Sequence, residues 1–142
     1  MANHQLQIRA YLESDEPEVV GLWQRVFPDD PPRNEPKRVV ERKLAVQREL
    51  FLVGVFQGRV IGTVLGGYDG FRGWVYHLAV DPEFRRRGFG RELMLAVEEL
   101  LHARGCPKLN LQVRARNSEV VSFYKSLGYS IEDHVSMGKV LE

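Results

Sequence analysis

The residues of this chain whose types and spacing best suit chemistry are three consecutive arginines followed by two glycines. They lie in DPEFRRRGFG, which runs from Asp81 to Gly90. Glycine costs conformational entropy, so Gly88 and Gly90 indicate a backbone that another group must approach closely. A predicted strand precedes this stretch and a predicted helix follows it, and the first N–H groups of a helix attract anions. The pattern therefore predicts a phosphate site whose rim carries the arginine charges.

The spacing of the glycines excludes two common nucleotide-binding loops. A dinucleotide-binding GxGxxG would need glycine at position 93, where the chain has Leu93. A P-loop would need GxxxxGK followed by serine or threonine. The ligand is therefore a different phosphate compound, unless the stretch is only a glycine-relieved turn with a solvated basic surface.

Hydrophobic periodicity predicts a mixed α/β domain around this loop. The predicted order is strand, two helices, three strands, helix, strand, helix and one or two closing strands. The predicted strands are residues 5–10, 51–56, 59–68, 73–80 and 108–114, with the closing strands after residue 129. The predicted helices are residues 14–27, 37–49, 91–104 and 117–126, with a proline-rich loop over 28–36.

Several residues have predicted places within these elements. Ser14 and Asn117 are predicted helix N-caps, and Gln57 and Gly58 are predicted to form a tight turn between two strands. The strand over residues 73–80 is nearly continuously apolar or aromatic, so it is predicted to be central and covered on both faces. The residues predicted to face the core are Val40, Leu44 and Ala45 in the second helix and Leu93, Val97, Leu100 and Leu101 in the third.

Length and composition limit the classes of function. At 142 residues the chain fits one domain, predicted over residues 1–142. Its 20 Lys and Arg against 19 Asp and Glu leave a net charge of +1, without the basic excess of a nucleic-acid binder. The single cysteine, Cys106, the lack of an apolar leader and the lack of a long apolar run predict a cytoplasmic protein with no membrane partner.

Two motifs resemble those of the GNAT superfamily of N-acetyltransferases. Arg85-x-x-Gly88-x-Gly90, preceded by HLAVDPEF, is similar to the loop that binds the pyrophosphate of acyl-coenzyme A in that family. Downstream, VRARNSEVVSFYKSLGY over residues 113–129 resembles the family's second conserved segment. The predicted order of elements agrees over nearly the whole chain. The resemblance implies an α/β fold with a twisted, mostly antiparallel sheet, splayed at the cofactor site and flanked by about four helices.

The resemblance also implies roles for individual residues. Leu78, Ala79 and Val80 would align the pantetheine arm of the cofactor, and Asn117 would contact it. Tyr124 would be the general acid for the departing thiolate. Without the resemblance, Asn117 is equally a helix cap and Tyr124 an ordinary core aromatic. The residues whose backbone N–H groups would hold the pyrophosphate are Arg85, Arg86, Arg87, Gly88, Phe89 and Gly90.

The general base is open in the sequence. Relatives that acetylate ribosomal proteins often carry glutamate in a strand reading Leu-Glu-Val-Arg, but the corresponding position here is Gln112, which cannot accept the proton. His77 lies just before the residues that would align the cofactor and has a suitable unperturbed pKa, although it could equally be a core histidine. The other candidates are a water chain and the side chains of Asp69, Tyr76, Glu132, Asp133 and His134.

The resemblance implies a metal-free N-acetyltransferase that transfers an acetyl group from acetyl-CoA directly to a primary amine in a ternary complex. The acceptor would be a small molecule or a peptide. Acidic centres in PDDPPRNEP (28–36) and IEDHVS (131–136) suit a cationic amine. Members of the family often form dimers, so a homodimer is compatible with the resemblance. The alternatives are an acyl-CoA-binding sensor without turnover and, disfavoured by the near-neutral charge, nucleic-acid binding through Arg85 to Arg87, Arg114 and Arg116.

Overall fold

The computed structural model of the chain describes residues 5–142, which form two compact units. The first unit ends at Leu111 and holds a five-stranded sheet with three helices, and the second, Gln112–Glu142, holds one helix. The strands are β1 (Gln7–Ala10), β2 (Phe51–Phe56), β3 (Arg59–Tyr68), β4 (Gly73–Val80) and β5 (Leu109–Asn110). The helices are α1 (Glu16–Val26), α2 (Pro36–Leu44), α3 (Phe89–Ala103) and α4 (Ser118–Ser126).

The sheet has the strand order β1-β2-β3-β4-β5, and each of the first three neighbouring pairs is antiparallel. Only β5 runs parallel to its neighbour, β4. The β2–β3 turn uses two left-handed residues, Gln57 with φ 50° and Gly58 with φ 79°, as a tight hairpin turn requires. The prediction of a mixed α/β fold with a mostly antiparallel sheet and four helices is therefore confirmed.

The predicted strands differ from the observed ones at the C-terminal end. The strand expected over 108–114 contains only Leu109 and Asn110, and no strand follows residue 129 in the described part of the chain. The strand over residues 73–80 is an interior strand, between β3 and β5, but the expectation that it is covered on both faces is wrong. In β4 the side chain of Tyr76 is 55% exposed. The sequence of β4 is almost continuously apolar because aromatic residues count as apolar, although the strand carries an exposed aromatic side chain.

The helices begin and end at somewhat different residues than predicted. Ser14 is not an N-cap but lies in a 3-10 turn, Glu13–Asp15, that leads into α1. Helix α2 ends at Leu44, so Ala45 is exposed and not in the core. On α3, the predicted core residue Leu100 is 38% exposed, whereas Met94, which was not predicted to face the core, is buried. No helix among residues 5–142 has the length and apolar character needed to cross a membrane.

Helices α1 and α3 pack against opposite faces of β3, because alternate residues of a strand point to opposite sides. Thr63 on β3 contacts Trp23 of α1. A side chain at Gly66 would instead point at Val97 of α3. The α1 side contains a stacked aromatic core in which Trp23 and Tyr11 both lie against Phe51. The α3 side is close-packed, which sets the position of the helix whose N-terminus follows the arginine loop.

We expect Gly66→Ala to lower the free energy of unfolding by about 1–3 kcal/mol, because small-to-large changes in a packed core force neighbours apart. A Cβ at Gly66 would lie 2.6 Å from Cγ2 of Val97. The control is Gly67→Ala on the same strand, where a Cβ meets only Oε1 of Gln47 at an ordinary 3.7 Å. Urea denaturation of both variants checks the prediction, and equal stabilities would contradict it.

Candidate functional site

The arginine and glycine stretch begins at a buried, anchored aspartate. Asp81 is 4% exposed and directly follows β4. Its backbone N–H donates to the carbonyl of Ile61 at 2.7 Å, and its carboxylate accepts the N–H of Glu83 at 3.0 Å. The other carboxylate oxygen pairs with the guanidinium of Arg25 from α1 at 2.8 Å. These bonds set the start of the loop relative to α1 and β3.

The loop from Arg85 to Gly88 has two left-handed residues separated by one residue. Arg86 has φ 65° and Gly88 has φ 81°. Alternation of right- and left-handed residues is one arrangement that turns successive N–H groups toward an anion, and the two left-handed residues make this loop a candidate for such a site. Gly88 is also the N-cap of α3 and offers no side chain to the first N–H groups of the helix. The loop therefore leads into the N-terminus of a helix, as predicted.

Arginine side chains and aromatic rings form a cluster beside the loop. The guanidinium of Arg87 lies 5.3 Å from the ring centre of Phe84 and 5.8 Å from that of Phe56. Arg59 lies 5.7 Å from the Phe84 ring. Phe89 is 5% exposed and packs on Phe56, so only its backbone N–H can serve a ligand. The cluster holds positive charge beside the loop, and no sequence pattern had indicated it.

Strand β4 contains a bulge at His77. Thr63 pairs with Ala79 and Leu65 pairs with Tyr76, so β4 has one residue more than β3 between these pairs. His77 absorbs the extra length with φ 50°, a left-handed conformation that is strained for a residue other than glycine.

The ladder between β4 and β5 ends at the Trp74–Asn110 pair. Among the described residues, β4 therefore has no β5 partner from Val75 to Val80. Leu78 and Val80 lie half-buried on this part of the strand, while the side chain of Ala79 is 1% exposed. This length of β4 includes Leu78, Ala79 and Val80, the residues that the resemblance assigns to the pantetheine arm.

The ring of His77 is enclosed by aromatic side chains and lies near one carboxylate. Its side chain is 13% exposed, and the ring centres of Trp23 and Phe27 lie 4.7 and 5.1 Å away. Nε2 is 3.8 Å from Oδ2 of Asp30, too far for a hydrogen bond. Burial lowers the pKa of His77; Asp30 acts to raise it and Arg42 to lower it, and the result is below the usual value. The imidazole is therefore neutral at pH 7, as a proton acceptor must be.

A buried threonine links the His77 backbone to helix α1. The indole Nε1–H of Trp23 donates to Oγ1 of Thr63 at 2.8 Å, and this hydroxyl donates to the carbonyl of His77 at 2.9 Å. Thr63 has no exposed surface. In the sequence it reads as one more β-branched strand residue, so periodicity carried no signal of this contact.

Two other candidates for the general base in the first unit are poorly suited. Asp69 accepts the N–H groups of Phe71 and Arg72, which lower the pKa of its carboxyl. Asp69 is therefore a weak base. Burial is the main cause that raises the pKa of Tyr76, so its phenol keeps its proton at pH 7. His77 is the better acceptor of these three.

The second unit holds Asn117 and Tyr124. The side chain of Asn117 accepts the N–H of Val120 at 3.3 Å, which confirms the predicted N-cap. Tyr124 is 9% exposed, and the ring centres of Phe123 and Tyr129 lie 5.1 and 5.6 Å from its own. Burial raises the pKa of Tyr124 to about 12, so its phenol is protonated at pH 7. Glu132, Asp133 and His134 lie exposed in the same unit.

The predicted site residues therefore fall into two groups. The loop, His77 and the residues after it belong to the first unit, and Asn117 and Tyr124 belong to the second. Within residues 5–142, the structure contains no group of three or more His, Cys, Asp or Glu side chains arranged to hold a metal ion.

Comparison with known proteins shows the family of the chain. The chain matches the Acetyltransferase (GNAT) family over residues 9–129. It is 45% identical over 136 residues to an acetyltransferase of Yersinia enterocolitica, covering 96% of each chain.

Solved structures show the same fold. The structure of Ard1 from Thermoplasma volcanium superposes with a TM-score of 0.79 at 27% identity, over 89% of this chain and 84% of Ard1. An aminoglycoside N-acetyltransferase, AAC(6')-Iy in complex with CoA, has a TM-score of 0.78 at 17% identity, over 97% and 96% of the two chains. With the family match spanning the loop and α4 alike, the chain belongs to the GNAT family of acetyltransferases and is an acyltransferase.

Proposed function

We propose that this protein transfers the acetyl group of acetyl-CoA directly to a primary amine of a small molecule or peptide, with both substrates bound together. One observation carries the proposal: a loop with left-handed Arg86 and Gly88 leads into the N-terminus of α3, and it follows a strand that has no β5 partner from Val75 to Val80. A diphosphate joined to an extended arm needs both features. Family membership supplies the reaction class.

The residues of the first unit fit coenzyme A by the chemistry of their donors. A pyrophosphate carries negative charge on oxygens that accept hydrogen bonds, and the turn from Arg86 to Gly90 offers backbone N–H groups and the positive end of a helix dipole. Arg85 and Arg86 add exposed positive charge, and Arg87 is held against aromatic rings. We propose that the backbone of Leu78 to Val80 holds the pantetheine arm, with a further contact from Asn117.

The reaction needs one proton acceptor and one proton donor. Acetyl-CoA supplies an acetyl group activated as a thioester. The neutral amine nitrogen attacks the carbonyl carbon, so a C–N bond forms, the C–S bond breaks and coenzyme A leaves. A cationic amine first loses one proton to become the neutral nucleophile, the nitrogen loses a second proton to a base as the amide forms, and the leaving sulfur gains one from an acid. No side-chain nucleophile is required. Binding both substrates close together in the reactive orientation supplies much of the acceleration.

We propose His77 as the base and Tyr124 as the acid. The lowered pKa of His77 keeps its imidazole neutral near pH 7, and the raised pKa of Tyr124 keeps its phenol protonated. Each group therefore has the protonation state that its role demands before the reaction begins. His77 can take the proton directly or through one bound water.

The proposed acceptor is a cationic amine. The loop between α1 and α2 places the carboxylate of Asp30 within 3.8 Å of His77, so negative charge lies beside the proposed base. An ammonium group attracted there would be the group that loses a proton. One structural relative, AAC(6')-Iy, is named as an aminoglycoside N-acetyltransferase, and aminoglycosides carry several amines.

The test is a coenzyme A release assay with acetyl-CoA and a panel of polyamines, amino acids, aminoglycosides and peptides with free N-termini. Turnover that depends on one amine class would support the proposal and name the acceptor. Calorimetric binding of acetyl-CoA measured in parallel separates two failures. Tight binding without turnover would favour an acyl-CoA sensor, and absence of binding would reject the cofactor assignment itself.

We expect His77→Gln to lower kcat by about 10- to 100-fold and to remove the acidic limb of its pH profile. In the wild type, kcat should fall as the pH drops through the lowered pKa of His77, because protonation removes the acceptor. The profile of kcat against pH between about 5 and 9 checks this prediction. A variant that keeps the wild-type acidic limb would assign the base to another group.

A further inference from the structure

Thr63 joins two elements of the proposed site through a single hydroxyl. It accepts the indole N–H of Trp23 at 2.8 Å and donates to the carbonyl of His77 at 2.9 Å. It has no exposed surface, and a hydroxyl has only one hydrogen to donate. Because the indole N–H can only donate, the hydroxyl hydrogen points to His77 and the direction of both bonds is set.

The bond to His77 falls on the most strained residue of β4. A left-handed conformation costs free energy for any residue with a Cβ, and it persists where the surrounding structure holds it. His77 has φ 50° at the bulge, where the regular pairing between β3 and β4 is interrupted. The carbonyl of His77 therefore gains from Thr63 a hydrogen bond at the point where the ladder is irregular.

We propose that Thr63 is a positioning residue for His77: by holding the carbonyl of His77, it keeps the bulge left-handed and the imidazole between Trp23 and Phe27. This inference rests on the proposed function, since it assigns to Thr63 an effect on the proposed base. Thr63 has no surface open to a substrate and acts only through His77. The same bond sets the direction in which β4 continues toward Leu78 and the cofactor.

The groups that face His77 decide what happens when this bond is lost. Helix α1 presents the uncharged rings of Trp23 and Phe27, the loop after α1 presents Asp30, and α2 contributes the charge of Arg42. The largest influence on the imidazole is its burial. A relaxed bulge would let the ring leave its aromatic neighbours and gain water, so its pKa would rise.

The test uses Thr63→Val, which keeps the shape and removes the hydroxyl, and Thr63→Ser, which restores it. Trp23→Phe removes the donor that orients the hydroxyl. It interrupts the same pair of hydrogen bonds and replaces Thr63→Val in the test if that variant fails to fold. The control is Val64→Ala, the next residue of β3, which is fully buried on the opposite face. NMR titration of the His77 ring, assigned by comparison with His77→Gln, is measured for each variant together with kcat and thermal stability.

We expect Thr63→Val to raise the pKa of His77, to move the acidic limb of kcat to higher pH and to lower kcat about tenfold, since small misplacements of reacting groups are costly. Thr63→Ser should return both readouts to near the wild-type values, and Trp23→Phe should shift them less. Val64→Ala should lose stability without changing the His77 titration. A His77 pKa that is the same in Thr63→Val, Val64→Ala and the wild type would overturn the proposal.

The NMR titration separates this inference from the proposed function. If no amine is acetylated by the wild type, the proposed function fails, but the titration still decides whether Thr63 controls the His77 ring. If the wild type is active and Thr63→Val shifts neither the titration nor kcat, only the positioning role of Thr63 is rejected.

Discussion

Replacing Tyr124 with phenylalanine is expected to lower kcat by about a hundredfold or more while the affinity for acetyl-CoA stays within about twofold, because a general acid contributes to the transition state and not to binding. Burial raises the pKa of Tyr124 to about 12, so the phenol carries its proton throughout the usual assay range. The variant removes that proton donor and keeps the ring that packs between Phe123 and Tyr129. Steady-state kinetics with calorimetric binding of acetyl-CoA make the measurement.

The matched control is Tyr129→Phe, the same substitution on a ring 5.6 Å from Tyr124 in the same unit. It should leave kcat within about twofold, since no proton transfer is assigned to Tyr129. Equal losses in the two variants would mean that the aromatic cluster acts through packing. An unchanged kcat in Tyr124→Phe would reject the acid role and leave protonation of the thiolate to solvent.

The second large effect is expected for Gly88→Ala, which should raise the KM for acetyl-CoA by about tenfold or more with a smaller change in kcat. Gly88 has φ 81° and is the N-cap of α3. Alanine is strained in the left-handed region, so the loop shifts toward conformations in which its N–H groups no longer face one ligand. Under the proposed function, the new methyl group would also crowd the backbone that binds the pyrophosphate.

Gly105→Ala is a close control because it lies just beyond the other end of α3. Gly105 has φ 82°, and a Cβ at either glycine would meet no atom within 4 Å. The two substitutions therefore carry the same backbone strain and should lower stability by similar amounts, on the order of 1 kcal/mol. Only Gly88→Ala should change the KM for acetyl-CoA. A similar rise in both variants would mean that the loop contributes nothing specific to binding.

Local patterns in the sequence predicted much of the fold. The strands β2, β3 and β4 begin and end at the predicted residues, because a tight turn at Gln57 and Gly58 and a glycine before Trp74 limit them. Helix α4 also has its predicted bounds, since Asn117 caps it through its own side chain. Turns and caps are made by neighbouring residues, so the chain encodes them locally.

The wrong predictions concern features that depend on a distant partner. Residues 111–114 have the alternation of a strand but no ladder beyond Asn110, and the apolar residues after 129 are not paired into strands. A strand exists only where another strand accepts its hydrogen bonds, and periodicity does not name that partner. For the same reason, the apolar pattern of β4 could not show which of its side chains are exposed.

The sequence by itself determined the family of this protein and where its predicted anion site lies. The arginines and Gly88 and Gly90 lie where a strand ends and a helix begins, and the family motifs around Asn117 and Tyr124 lie at their expected distance. These features are encoded in short segments and rest on backbone geometry that neighbouring residues impose. The prediction of an anion site at the start of α3 needed no knowledge of the packing.

Only the tertiary structure decided how His77 is held and charged. Its ring lies against Trp23 of α1 and Phe27 just after α1, its carbonyl is bound by Thr63 of β3, and Asp30 approaches from the loop before α2. Left-handed backbone at His77 arises because β3 and β4 pair out of register on either side of it. Burial and register are properties of elements packed together, so the lowered pKa of this histidine could not be read from the residues beside it.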